Sequence, residues 1–152
     1  MPPTSPADLR TTAPRPATAG PESHTHRLAP DDHAPLRLRK WLVRHLRQWR
    51  LVHLADDLQL IATELATNAA RHGVAPATAT LTRGTAGQVR LAVTDTGPGF
   101  DPEEVTASWE ASGTADSCHG RGLLLVAALS TAWGTDRPRR GGHRVWAELA
   151  AP

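Results

Sequence analysis

Residues 56–73 decide the fold, and they read DDLQLIATELATNAARHG. Apolar residues recur here every three or four positions, which predicts an amphipathic helix packed on a hydrophobic core. Asp56 and Asp57 suit the N-terminal end of such a helix, where the macrodipole favours carboxylates, and Gly73 suits its C-terminal end. The predicted apolar stripe consists of Leu58, Ile61, Ala62, Leu65 and Ala69.

A second face of this predicted helix is polar. Glu64 and Asn68 are four residues apart, so their side chains are neighbours on successive turns, and Thr67 and Arg71 flank them. A carboxylate beside a carboxamide can orient a proton acceptor and hold a metal ion, provided that phosphates lie opposite. On an isolated helix the same pair would be only a solvated polar face. The rest of the sequence therefore decides between these interpretations.

Length and composition limit the class of protein. A chain of 152 residues predicts one domain with a real hydrophobic core. The single Cys118 excludes an internal disulfide framework and fits a reducing compartment. The longest uninterrupted apolar run, residues 123–129, is too short to span a membrane, and the N-terminus carries no apolar signal segment. We therefore expect a soluble, cytoplasmic protein without membrane contact.

The first third of the chain separates into a tail and two elements. Residues 1–23 are rich in proline and small polar residues and are predicted to be a disordered tail, which leaves residues 24–152 as the folded domain. Residues 24–28 are predicted to be a short edge strand, and residues 36–50 a helix with one apolar and one basic stripe. The basic stripe indicates a partner or dimer contact. Without a nucleic-acid recognition motif, contact with nucleic acid is the less favoured interpretation.

After the central helix the periodicity changes to two. Residues 77–83 and 88–95 are predicted to be antiparallel strands joined by a glycine-containing turn at residues 84–87. In the second strand Asp95 lies on the same face as the apolar residues Val89, Leu91 and Val93. A buried carboxylate is costly unless something hydrogen-bonds to it. Asp95 is therefore a candidate site residue.

Two glycine-containing segments follow. The sequence Asp95-Thr96-Gly97-Pro98-Gly99-Phe100 allows a sharp turn and a close backbone approach to a ligand, although an ordinary tight loop has the same features. Gly120-Arg121-Gly122 leads into a predicted helix at residues 123–132, and such a lead is a potential phosphate site. Between them we expect a short acidic helix at residues 101–110 and a mobile segment at residues 111–119. Residues 133–136 and 143–150 are predicted to close the fold as a hairpin with Val145, Ala147 and Leu149 on its inner face.

In this order, the three motifs resemble the N, G1 and G2 boxes of the histidine-kinase-like ATPases, which share the Bergerat fold. The motifs are residues 64–73 (ELATNAARHG), the strand end Asp95-x-Gly97-x-Gly99-Phe100, and Gly120-x-Gly122-Leu123. Each is weak alone, but the ordered set covers most of the chain. Within the superfamily the chain is most similar to the small bacterial anti-sigma-factor serine/threonine kinases and stand-alone ATP-binding regulatory proteins. The resemblance implies an α/β two-layer sandwich, with a mixed, mainly antiparallel sheet and about three helices on one face.

The resemblance also implies roles for individual residues. Glu64 would be the general base, and Asn68 would bind the Mg²⁺ that bridges the phosphates of ATP. Asp95 would accept a hydrogen bond from the adenine amino group. The remaining nucleotide-binding positions would be Arg71, Gly97, Gly99, Phe100, Gly120, Arg121, Gly122 and Leu123. Such a division of labour agrees with phosphoryl transfer in general, where positioning and electrostatics do most of the work.

The implied function is transfer of the ATP γ-phosphate to a serine of an antagonist protein, together with sequestration of a sigma factor by a homodimer. Sensor kinases are disfavoured because no dimerisation helix with a phosphoacceptor histidine precedes the motifs. Gyrase-like and chaperone-like machines are disfavoured because the chain is too short for a second domain that would use the energy of hydrolysis. A nucleotide-gated module that binds partners without turnover explains the same motifs. Nucleic-acid binding through the basic helix is the weakest alternative.

Overall fold

The computed structural model describes residues 20–112 and 120–151. The strands are β1 (Glu22–Leu28), β2 (Ala77–Arg83), β3 (Val89–Asp95), β4 (Ala132–Asp136) and β5 (His143–Leu149). The helices are α1 (Ala34–Gln48), α2 (Ala55–His72), α3 (Pro102–Ser112) and α4 (Gly120–Leu129), and a short 3-10 helix (Val52–Leu54) joins α1 to α2. Residues 1–19 of the predicted tail (residues 1–23) lie outside the described part of the chain. So do residues 113–119, which make up most of the segment expected to be mobile (residues 111–119).

All five described strands form one sheet in the order β1-β2-β3-β5-β4. Every neighbouring pair in it is antiparallel, so the predicted mainly antiparallel sheet is confirmed, and no parallel pair occurs among the described strands. The reason lies in the last hairpin. Strand β5 folds back from β4 and inserts between β3 and β4, which run in the same direction and are thereby kept apart.

Edge strand β1 begins at Glu22, two residues before the predicted start. The side chains of these first residues explain the extension. The carboxylate of Glu22 pairs with the guanidinium of Arg83 on β2 at 3.0 Å, and the hydroxyls of Ser23 and Thr82 are 3.1 Å apart. The last residues that the sequence assigned to the tail therefore belong to the sheet.

Helix α1 begins and ends two residues before the predicted bounds. Pro35 occupies its first turn, where a missing N–H group costs nothing. Arg50 adopts a positive φ of 60°, and the N–H group of Leu51 donates to the carbonyl of Leu46 at 2.8 Å. A residue in this conformation ends a helix, so α1 cannot continue to Arg50.

The core lies between one face of the sheet and helices α1, α2 and α4, which confirms the two-layer sandwich and the expected three packed helices. Helix α3 is a fourth, and it contacts α4. Strand residues of the opposite face stay partly exposed, such as Trp146, over whose ring the guanidinium of Arg90 lies at 4.0 Å. The largest fully buried side chains are Leu38, Leu42, Leu46, Leu58, Ile61, Leu65, Leu81, Leu91, Leu123, Val89 and Val126.

Helix α4 starts and ends earlier than predicted, because the glycine lead forms its first turn and Ala132 belongs to β4. The hydroxyl of Ser130, the residue after the helix, donates to the carbonyl of Val126 at 2.6 Å. The N–H group and the hydroxyl of Thr131 then both donate to the carbonyl of Glu148 on β5, each at 2.8 Å, so the chain joins the sheet. Within the described ranges no helix combines the length and apolar character that crossing a bilayer requires.

Candidate functional site

The polar face of α2 carries the predicted Glu64 and Asn68 next to the core. Both side chains are half-buried, whereas Leu65 and Ala69, which follow them in the sequence, are buried. Asp56 and Asp57 lie in the first turn of the helix, and the N–H group of Gly73 caps its end by donating to the carbonyl of Ala69 at 3.0 Å. A long helix anchored along one side in this way holds the two polar side chains on a rigid support.

Glu64 lies against the first turn of α4. A Cβ atom placed on Gly122 would overlap Oε2 of Glu64, so the carboxylate fits there only because residue 122 is a glycine. The first N–H groups of a helix have no partner within the helix, and its dipole favours negative charge at this end. The structure therefore brings the predicted base and the predicted phosphate-binding turn into contact.

Asp95 ends β3 at the buried face of the sheet, with 7% of its surface exposed. Its Oδ1 accepts hydrogen bonds from the N–H groups of Gly97 at 2.7 Å and Val74 at 3.3 Å. The hydroxyl of Thr96 also donates to the carbonyl of Val74, at 3.0 Å. These bonds tie the end of β3 to the connection between α2 and β2. They fix the carboxylate in place, and they confirm its predicted burial.

The loop after Asp95 folds tightly over β5. Gly97 is buried, and Gly99 adopts a φ of +72°, a conformation that favours glycine. A Cβ atom on Gly99 would collide with the imidazole ring of His143. The ring of Phe100 meets the same imidazole edge to face, with the ring centres 4.9 Å apart. The glycines therefore allow the backbone to approach a neighbouring strand closely, and the approach to a ligand stays a prediction.

His143 is the site residue that sequence reasoning missed. It is the first residue of β5, pairs directly with Asp95 across the ladder, and is only 3% exposed. Burial lowers the pKa of His143, whereas the nearby carboxylate of Asp95 acts in the opposite direction. One signal could have found it, because the predicted inward alternation of Val145, Ala147 and Leu149 extends backwards by two residues to position 143.

The structure places Arg71 apart from the other candidates. Its side chain is exposed, and it lines a pocket of about 520 Å³ on the opposite flank of α2, together with Thr67 and Ala70. Asp31 and Asp32 line the far wall of this pocket. The role of Arg71 in nucleotide binding stays a prediction, and we call this cavity the rear pocket.

The remaining candidates are found around α4. Gly120 begins the helix, and Leu123 is buried in the core with 2% exposed surface. The side chain of Arg121 lies outside the described part of the structure. Within the described residues no group of three or more His, Cys, Asp or Glu side chains is placed to hold a metal ion. Mg²⁺ in nucleotide sites commonly takes few protein ligands and the rest from phosphates and water, and the position of Asn68 next to Glu64 fits that pattern.

Comparison with known proteins adds one finding. A family model described as the histidine kinase-like ATPase domain matches residues 28–149, which include every described element except most of β1. No curated protein shows a significant match to the chain. The matched range contains Glu64, Asn68, Asp95 and Gly122, the residues around which the site is built.

Proposed function

The chain belongs to the histidine kinase-like ATPase family, and from this premise we propose that it is a protein serine/threonine kinase of the anti-sigma-factor type. Membership of this family implies that the chain binds ATP. The observation that carries the proposal is the contact between Glu64 and the first turn of α4, because it joins a proton acceptor to a phosphate-binding turn. A module that only bound nucleotide would not need a carboxylate there.

Each residue of the site has a role in the proposed reaction. The hydroxyl oxygen of a substrate serine or threonine bonds to the γ-phosphorus as the bond from that phosphorus to the bridging oxygen of ADP breaks. Glu64 takes the hydroxyl proton, and ADP leaves with the electron pair of the broken bond. Gly120 and Gly122 present backbone N–H groups to the phosphates, and Arg121 adds positive charge. Mg²⁺ held by Asn68 would neutralise phosphate charge.

The base would bind at the other end of the site. Asp95 has a carboxylate that is held in place by two backbone N–H groups and can accept a hydrogen bond from the adenine amino group. Gly97 and Gly99 let the loop approach the base, while Phe100 supplies apolar surface beside it. Leu123 is buried in the core behind the phosphate-binding turn and would support that turn from within. The buried carboxylate, the tight loop and the glycine at position 122 together fit a purine triphosphate.

We propose partners of two kinds, a small antagonist protein as the phosphate acceptor and a sigma factor as the protein that is sequestered, with the chain acting as a homodimer. Helix α1 offers a surface for such contacts. Its basic residues Arg37, Lys40, Arg44 and Arg47 are exposed, and the side of the helix that carries Leu38 and Leu42 is buried. Of these four, Arg37 forms an ion pair with Asp31 at 2.6 Å. The other three basic side chains lie toward the C-terminal end of α1.

Phosphate transfer from γ-labelled Mg-ATP to a protein in an extract of the source cell tests the kinase proposal. We expect a labelled protein with the native chain. With Glu64→Gln the rate of transfer should fall by at least about 100-fold, because a general base contributes roughly that much or more. ATP affinity should be unchanged. The matched control is Asp57→Asn, which alters an exposed acid on the same helix and should leave transfer intact. Nucleotide binding without any labelled protein would instead support the nucleotide-gated module.

A further inference from the structure

The two buried polar residues of the described chain face each other. Asp95 and His143 are 7% and 3% exposed, and the other fully buried side chains in residues 20–112 and 120–151 are apolar. They form a direct pair in the antiparallel ladder between β3 and β5. Side chains of such a pair lie on the same face of the sheet, with Cβ atoms roughly 5 Å apart. One small chemical group can therefore contact both.

The hydrogen bonds of His143 determine which ring nitrogen is free. The imidazole interacts with the backbone of Phe100 in a way that favours its protonated form, so the ring donates and the carbonyl accepts. Nε2 is buried and has no partner within the described residues, which assigns the donated bond to Nδ1. Burial also lowers the pKa of the ring, which keeps it neutral near pH 7. A neutral ring that donates from Nδ1 carries a lone pair on Nε2 and is an acceptor there.

Asp95 offers a second acceptor, the Oδ2 atom, which lies beside Gly73. Its Oδ1 already accepts from the N–H groups of Gly97 and Val74, and no hydrogen bond from the described residues reaches Oδ2. Buried acceptors without donors cost free energy, and water or a ligand normally supplies what is missing. The end of the β3–β5 ladder thus presents two acceptors without a donor among the described residues, and one of them, Nε2 of His143, is buried.

We propose that Asp95 Oδ2 and His143 Nε2 together accept the two hydrogens of an exocyclic amino group, which makes His143 a specificity-determining residue for 6-aminopurine nucleotides. The inference rests on the proposed nucleotide site and deepens it. A 6-oxopurine would place a carbonyl oxygen against the same two acceptors. The carbonyl oxygen, Oδ2 of Asp95 and Nε2 of His143 would then all lack a hydrogen-bond donor. Sites built around a substrate hydrogen bond reject analogues that lack it, because their own polar groups are then left without partners.

A pair of substitutions separates the proposed acceptor from the structural contact of the ring. The amide of His143→Asn can still donate to the Phe100 carbonyl in place of Nδ1 but is too short to reach the position of Nε2. The longer His143→Gln can place its oxygen there. We expect His143→Asn to weaken Mg-ATP binding by about 3- to 10-fold, the usual net effect of one hydrogen bond, and His143→Gln to bind close to the native affinity.

The nucleotide series gives the decisive comparison, measured by calorimetry on the full chain. The triphosphate of purine riboside has no group at position 6, so its affinity should be the same for the native chain and His143→Asn. Inosine triphosphate should bind the native chain more weakly than ATP does. If His143→Asn is folded and keeps both its ATP affinity and its preference for ATP over the purine riboside triphosphate, the inference is wrong while the nucleotide site stands. If the native chain binds no nucleotide, both fail.

A measurement on the native chain covers the case in which His143→Asn does not fold. The Nε2 resonance of His143, observed by ¹⁵N NMR, should shift when ATP is added, because a bare lone pair becomes a hydrogen-bond acceptor. The purine riboside triphosphate should leave it close to its starting position. Equal shifts with the two nucleotides would overturn the inference.

Discussion

Glu64 keeps its position against α4 because residue 122 has no side chain. The atom of Glu64 nearest to a Cβ on Gly122 is Oε2, the far end of a flexible side chain, while the Cβ of Glu64 would be 3.7 Å away. An added methyl group would therefore move the carboxylate and leave the backbone of both helices in place. The effect would concern the reaction rather than the fold.

Gly122→Ala is accordingly expected to lower phosphate transfer by about 10- to 100-fold, since small displacements of a catalytic group cost this much. Alanine is about 1 kcal/mol more favourable than glycine within a helix, so the melting temperature should stay equal or rise. Transfer assays and thermal melts on the same preparation give both values. Gly20→Ala is the control, because a Cβ there meets nothing within 4 Å. Native transfer rates in Gly122→Ala would show that the position of Glu64 does not matter.

At the scale of elements, the contact between β1 and α1 is made largely by imidazole and indole rings. We call this the ring cluster: His24 and His26 on β1, Trp41 and His45 on α1, and Trp49, which directly follows α1. The rings of His24 and His45 stack with their centres 4.0 Å apart, and His26 lies 5.3 Å from Trp41. Trp41, His45 and the C-cap residue Trp49 repeat every four positions and so lie along one face, which binds the edge strand to the helix layer.

Titration of this cluster links pH to stability. Burial lowers the pKa of His26, and the cations Arg37 and Arg44 lower it further. Burial also lowers the pKa of His45, with a further contribution from the neighbouring His24. An unfolded histidine titrates near pH 6.5, so just below that value the unfolded chain binds more protons than the folded chain. The free energy of unfolding must then decrease as the pH falls from about 6.5 toward the lowered values.

The chain should therefore unfold at lower urea concentration at pH 5.5 than at pH 7.5. His45→Phe keeps an aromatic ring beside His24 but cannot titrate, so its urea midpoint should depend less on pH. His53→Phe alters an exposed histidine of the 3-10 helix outside the cluster and is the control. Unfolding curves followed by circular dichroism supply the midpoints. A midpoint that rises as the medium becomes acidic would contradict the lowered pKa values of His26 and His45.

At the scale of the whole molecule, the local part of the fold could be predicted from the sequence and the long-range part could not. The period of α2 and the turn at Gly84 follow from neighbouring residues, and in the turn the N–H group of Gly84 donates to the carbonyl of Gln88 at 2.8 Å. The buried position of Asp95 follows from alternation along β3. No local pattern predicts that β5 inserts between β3 and β4. That insertion places His143 opposite Asp95.

The same limit explains the errors at element ends and the grouping of Arg71 with Asn68. Helix α4 ends at Leu129 because Thr131 bonds to β5, which a helical pattern cannot reveal. Arg71 is three residues beyond Asn68, close enough to suggest a shared site. The positions of α1 and β1 decide that its flank instead opens into the rear pocket. Spacing along one helix therefore predicts which side chains are neighbours, but their assignment to a cavity needs the packing.

The rear pocket lies on one flank of α2 and the proposed nucleotide site on the other, so the location of the nucleotide is the central claim. Calorimetric titration of Mg-ATP tests it most directly. Asp95→Asn turns the free acceptor into an amide and should weaken ATP binding by at least about 10-fold, because an amide N–H would face the adenine amino group. Ala70→Leu narrows the rear pocket, and its ATP affinity should equal that of the native chain. Native affinity in Asp95→Asn together with lost affinity in Ala70→Leu would place the nucleotide in the rear pocket and contradict the proposed site.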